Sequence, residues 1–310
     1  MITIRDAATG STASLLPERG FNCFSFRPVL DGQPIEVLWS EPGFGPESPP
    51  DLSGIPILFP FGGRMTGGAF EFESQRYETP SAKDDRADAW HGFVMRRPWR
   101  VTSQAENCVT AEFQASVDDP ALLDEWPVDF AIAVTYAVAG PELRAEFIIS
   151  NPDQKRLPFV LATHPYFQLS LGGAKPEAPQ VTIPASAYWE LVDGMITGRT
   201  LPVDQRNDLR DGPPLDGRKM NDIYGDLEMT NGQFVCSVHD LIANRTVSQI
   251  AADGADCCIV YTHREREAIA IEPYIGIPDS FRLAAMGIET GMKVLEPGEE
   301  YRTTIVVRLD

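Results

Sequence analysis

FAIAVTYAVAGPELRAEFIIS, residues 130–150, decides the fold class. Phe130, Ile132, Val134, Tyr136 and Val138 alternate with small or polar partners, the period of a half-buried strand. AGPE at 139–142 punctuates the run as a turn, and Leu143, Ala145, Phe147 and Ile149 then resume the alternation. The segment reads as an antiparallel hairpin with one apolar face. Tyr301, Thr303, Ile305, Val307 and Leu309 repeat the signal at the C-terminus.

Further strand signals fall at 21–30, 35–39, 108–116, 158–169, 181–191, 227–238, 245–250, 257–263 and 268–272. Helical periodicity is confined to DDPALLDEW at 118–126, which predicts a short helix capped by Asp118 or Asp119 with Pro120 in its first turn. Many strands without βαβ alternation predict an all-β antiparallel sandwich. No Ser/Gly-rich linker or charge run divides the chain, so residues 1–310 are expected to form one domain. Three segments, 40–56, 76–90 and 192–222, lack a strand period and are rich in Pro, Gly, Asp and Ser. Long loops inside a compact fold often carry function, and these flank the most unusual residues of the chain.

A hydrophobic fraction of 43% with 23% charged residues suits a chain that buries a sizeable core, and excludes global disorder or a fibre. The net charge of -19 repels phosphate backbones and anionic lipid, so neither nucleic acid nor a membrane is an expected partner. The same field leans toward a neutral small molecule. Cys23, Cys108, Cys236, Cys257 and Cys258 are scattered and odd in number, which fits free thiols in a reducing compartment. MITIRDAATG has no basic region followed by an apolar run, and no stretch approaches the length of a membrane span; a cytoplasmic location is expected.

Four histidines are available for chemistry. His91 lies in AWHGFVMRRPWR, where Gly92 lets the backbone pass close to a neighbour and Trp90, Phe93 and Trp99 supply aromatic surface. His164 interrupts the apolar run LPFVLATHPYFQLS; Pro165 has no N–H and belongs at an edge or strand end, where an imidazole can face a cavity. For both, a structural core histidine is the ordinary competing explanation. His239 and His263 stand beside charges and read as solvated positions. Glu272 in AIAIEPYIGIPDSF ends a buried-looking strand, where desolvation raises a carboxyl toward the range useful to a general base. Its structural competitor is an ion pair with Arg264, Arg266 or Arg282. Metal binding is not expected: there is no pair of histidines at ligand spacing, no Cys-x-x-Cys and no calcium-type carboxylate loop. FGGRMTGG at 61–68 lacks the context and ending of a phosphate loop, and no G-x-S-x-G elbow is present.

Taken together, GIPILFPFGGRM (54–65), HGF (91–93), THPYFQL (163–169), NDIYGDL (221–227), IEPYIGIPDSF (271–281) and VLEPGEEY (294–301) resemble the aldose 1-epimerase family, in that family's order. The resemblance implies a β-supersandwich of the galactose mutarotase-like type, a sugar substrate and no metal or organic cofactor. It assigns His164 as general acid toward the ring oxygen and Glu272 as general base toward the anomeric hydroxyl. His91, Arg64 and Asp222 match substrate-binding positions. A carboxylate beside an imidazolium is expected to raise the histidine's pKa, while burial raises the glutamate's. Gly63-Arg64 departs from the Asn-Arg pair of galactose-type members, so hydroxyl contacts there must differ. Arg86, Arg96 and Arg97 near His91 leave open a hexose-6-phosphate 1-epimerase. A non-catalytic carbohydrate-binding module of the same fold and a glycoside hydrolase using Asp222 and Glu272 are the remaining alternatives.

Overall fold

The hairpin forms as its alternation requires. Strands Ala131–Ala139 and Glu142–Ser150 pair from Ala131 opposite Ser150 to Ala139 opposite Glu142, leaving Gly140-Pro141 as the turn. Gly140 takes φ 56°, the positive angle that a tight hairpin turn demands of its first residue. Phe130, Ile132, Val134, Tyr136 and Val138 are all fully buried, and Leu143, Ala145, Phe147 and Ile149 nearly so.

In the computed structural model, which describes residues 1–79, 88–172, 179–215, 217–262 and 268–310, this hairpin sits inside an eight-stranded antiparallel sheet. The order is Arg100–Gln104, Cys108–Gln114, Ala131–Ala139, Glu142–Ser150, Glu300–Leu309, Arg245–Ala251, Phe234–Asp240 and Gln180–Thr182. The C-terminal strand therefore lies beside the first hairpin, joining sequence ends that the alternation alone cannot pair. A second sheet runs Met195–Pro202, Ala185–Val192, Asn221–Leu227, Cys257–Thr262, Ala268–Ile275, Leu161–Thr163 and Ile57–Leu58, with Tyr166–Gln168 also on Ala268–Ile275. One buried apolar cluster includes Tyr136, Phe147 and Val307 of the first sheet with Tyr224, Val260 and Ile271 of the second. The architecture is an all-β antiparallel sandwich.

Several expectations shift in detail. Residues 35–39 make no strand, only a bridge at Leu38, because the Glu36 carboxylate accepts the Phe26 and Leu38 N–H groups that a ladder would use. The run 158–169 breaks into three pieces, and 192–222 contains the strand Met195–Pro202, whose exposed residues disguise its period. At 118–126 the helix is a single turn, Ala115–Asp118, followed by a 3-10 turn at Pro120–Asp124. Neither aspartate caps it: Asp118 binds Arg100 and the Gln114 N–H, and Asp119 binds Arg97. No described helix is long and apolar enough to cross a membrane.

Candidate functional site

The central strand Ala268–Ile275 sends Ile269 and Ile271 into the core and Glu272 and Tyr274 to the opposite face, as a period of two dictates. Its other neighbour is interrupted. Leu161–Thr163 pairs with its C-terminal half (Ala162 opposite Tyr274) and Tyr166–Gln168 with its N-terminal half (Tyr166 opposite Ala270). The gap holds His164-Pro165 and faces Glu272-Pro273, two prolines that have no N–H to give a ladder. The His164 N–H turns instead to the Pro56 carbonyl at 2.9 Å, and the ring lies over the carboxylate, Nε2 to Oε1 3.1 Å. Pro165, read from sequence as a strand-end signal, is thus part of what frees His164 from the sheet.

His91 follows the short strand Ala89–Trp90 at φ 63° and donates its N–H to the Gly63 carbonyl at 2.9 Å. Gly92 beside it approaches Phe59 so closely that a Cβ would lie 2.2 Å from the Phe59 carbonyl oxygen. That tight passage sets the His91 ring edge-on to His164, with centroids 5.6 Å apart. Tyr166 stacks on His164 at 4.8 Å and donates its hydroxyl to the Asp51 carbonyl. Arg64 pairs with Asp88 at 2.6 Å and its guanidinium lies 5.9 Å from the Trp90 ring centroid. Asp279 accepts from the Thr66 N–H, the Thr66 hydroxyl and Arg282, and Arg282 donates to the Ile196 carbonyl. This carboxylate therefore ties together three walls that are distant in sequence.

Those walls enclose a cavity of about 330 Å³, within the range of small-molecule sites. His91, His164, Glu272 and Arg64 all line it. So do residues from each long segment: Asp51 and Leu52, Trp90, and Gly194 to Ile196. Asp222 does not. On the strand Asn221–Leu227 it is Asn221 and Ile223 that face the cavity, whereas Asp222 is buried on the other side and bound by Arg206 at 2.8 Å. The pleat thus sets Asp222 on the face away from the cavity that Glu272 lines, so the two carboxylates expected of a glycoside hydrolase are not brought together. Arg282, named as a partner for Glu272, binds Asp279; Arg264, Arg266, Arg86 and His263 lie outside the described residues. Arg97 binds Asp119, and neither it nor Arg96 lines the cavity. His239 bonds Thr246 on a surface strand.

Burial governs the electrostatics. Glu272 is 2% exposed and His164 7%. Desolvation pushes the Glu272 carboxyl well above the usual carboxylate range, opposed by a hydrogen bond from Tyr274. Desolvation first, and then the proximity of His91, hold His164 down to about 3. His91 is held to about 4 by burial, with Asp51 opposing and Arg96 adding to the effect. The expected rise of the histidine beside its carboxylate is therefore reversed: desolvation outweighs the partner. At 3.1 Å the two groups face each other with burial favouring the neutral form of both, the carboxyl protonated and the imidazole not. Among the described residues no group of three or more His, Cys, Asp or Glu is placed to hold a metal ion, and all five cysteines are free thiols.

The sequence model of the aldose 1-epimerase family matches residues 31–308. The chain belongs to the aldose 1-epimerase family. A galactose mutarotase-like protein from Clostridium acetobutylicum has the same fold, with a TM-score of 0.86 and 18% identity over 99% of this chain and 95% of that one. A GalM/aldose epimerase homologue from C. elegans gives 0.79 and 19% over 100% and 98%. Protein LacX (plasmid) of Lactococcus lactis subsp. lactis is 26% identical over 145 residues, 46% of this chain and 44% of that protein. The match thus spans less than half the length of this curated relative.

Beyond His91, His164, Glu272 and Arg64, the cavity is lined among others by Tyr274, Tyr166, Tyr261, Asn221, Asp51 and Asp279. Tyr274 had a direct sequence signal, standing two residues after Glu272 on a strand and hence on the same face, and Tyr166, Asn221 and Asp279 lie within the motifs already quoted. Asp51 and Tyr261 arrive from a loop and a neighbouring strand whose placement a single sequence does not disclose.

Proposed function

We propose that the chain is an aldose 1-epimerase that interconverts the α and β anomers of a free aldose by acid-base ring opening and closure. The observation that carries this reading is the buried His164–Glu272 contact of 3.1 Å in the wall of a monosaccharide-sized cavity. Ring opening needs a proton removed from O1 and one delivered to O5, and closure reverses both transfers. Glu272 accepts the O1 proton as the C1–O1 double bond forms; His164 gives a proton to O5 as the C1–O5 bond breaks. A pair that shares one proton supplies both roles and is restored when the ring closes from the other face. Each transfer assisted in this way is worth ~10²–10⁴ in rate. In this reading His91, kept neutral by burial, and Arg64 bind sugar oxygens; both line the cavity.

A neutral substrate is favoured over its 6-phosphate. Arg64 is the one lysine or arginine among the described lining residues, it is already paired with Asp88, and Asp51, Glu272 and Asp279 line the same space. Magnetisation-exchange NMR between the anomers of a panel of free and phosphorylated aldoses tests the reading, with and without a chelator. Exchange above buffer that persists with the chelator is the expected result. Exchange no faster than buffer for every sugar points to a non-catalytic carbohydrate-binding module.

A further inference from the structure

The Glu272 carboxyl has two oxygens with different partners. Oε1 meets His164 at 3.1 Å, whereas Oε2 accepts the hydroxyl of Tyr274 at 3.2 Å. Tyr274 is fully buried, lines the same cavity, and packs its ring against the backbone of Gly62, where a Cβ would meet the ring edge. Gly63 follows, its own missing Cβ directed at Pro278. The glycine pair thus makes room for a tyrosine held in one orientation. No step of ring opening uses it directly.

We propose that Tyr274 is a positioning residue that sets where the shared proton of the His164–Glu272 pair lies, by donating to Oε2 and so stabilising the carboxylate. The inference rests on the aldose 1-epimerase reading above. Burial favours the tautomer with the proton on Glu272 and a neutral ring, in which the base is blocked and the acid is empty. A hydroxyl aimed at Oε2 pulls the balance the other way: the proton crosses from Oε1 to Nε2, leaving Oε1 able to accept from O1 and Nε2–H able to donate to O5. Burial together with Glu272 holds the phenol well above its ordinary range, so Tyr274 remains a donor throughout. The other ionisable groups around the pair are His91 behind His164, Cys257 and Cys258 on the adjacent strand, and Tyr166, Tyr261, Asp51, Arg64 and Asp279 on the cavity walls. Both thiols donate to backbone carbonyls, Cys257 to Gly276 and Cys258 to Ile259, so Tyr274 is the donor to Oε2.

Tyr274→Phe keeps the ring and its packing and removes the hydroxyl. The expected result is a fall in kcat of roughly tenfold to a hundredfold, the worth of a hydrogen bond to a charged group, with KM little changed. The alkaline limb of kcat/KM moves upward because the carboxylate has lost its donor. Infrared titration of the protonated carboxyl band, assigned by its disappearance in Glu272→Gln, shows the band persisting to higher pH in Tyr274→Phe than in the native protein. Unchanged kcat, limb and band overturn the proposal, and so does a rise in KM at constant kcat, which marks direct substrate contact. If the native protein exchanges no sugar, the functional reading falls. The infrared comparison still decides whether Tyr274 controls the Glu272 proton.

Discussion

Glu272→Gln isolates the chemistry of the site from its packing. The carboxyl is 2% exposed, with Oε1 facing His164 Nε2 at 3.1 Å and Oε2 accepting from Tyr274 at 3.2 Å. A glutamine amide meets both neighbours: its oxygen accepts the Tyr274 hydroxyl and its N–H donates to a neutral His164. The fold is therefore expected to survive, while the shared proton is lost. Removing one member of a proton-transfer unit costs the full assistance of that unit, ~10²–10⁴ in kcat, or about 3–5 kcal/mol of barrier. His164→Gln is expected to cost about as much, and the double variant little more than either, because members of one unit are not additive. Anomer exchange by NMR on the best sugar measures kcat, and circular dichroism checks the fold. Stability carries a sign of its own. A carboxyl raised on folding contributes stability below its unfolded value of 4.5 that is lost as pH rises through its folded pKa. The melting temperature of the glutamine variant should therefore gain on the native protein as pH increases above 4.5. Near-native kcat in a folded Glu272→Gln protein would refute the role assigned to Glu272.

The pH profile of kcat/KM should be broad: a second proton on the pair is opposed by burial until about pH 3, so the acid limb lies below that of a free imidazole, and the alkaline limb lies above the carboxylate range. Limbs at ordinary carboxylate and imidazole values would show that desolvation does not control the pair. Acid stability follows His164, whose neutral buried form supports the fold above 6.5 and loses that support as pH falls toward about 3, by about 5 kcal/mol in total. Denaturant melts of His164→Gln should show a weaker acid dependence over that window. Gly92→Ala, with its Cβ 2.2 Å from the Phe59 carbonyl oxygen at φ 67°, should cost about 2–3 kcal/mol and weaken sugar binding by displacing His91; an unshifted melt would contradict the close passage. Free aldoses should exceed their 6-phosphates in kcat/KM, and a phosphate preference that vanishes in Arg64→Ala would reverse the reading of the cavity's charge.

Alternation along 130–150 and 301–309 was enough to determine that the chain is an antiparallel β protein and which residues of those strands face the core, because a period of two needs only local sequence. Ordered motifs brought His91, His164, Glu272 and Arg64 forward, and all four meet in one cavity. Asp222 lies off the cavity and Asn221 on it because the face that the strand presents follows from its register with Cys257–Thr262, which the sequence does not disclose. The protonation of the His164–Glu272 pair was likewise beyond the sequence. A nearby carboxylate predicts a raised histidine, but enclosure between the outer face of the second sheet and three distant loops makes desolvation the larger effect, and only the tertiary structure sets how completely a charge is removed from water.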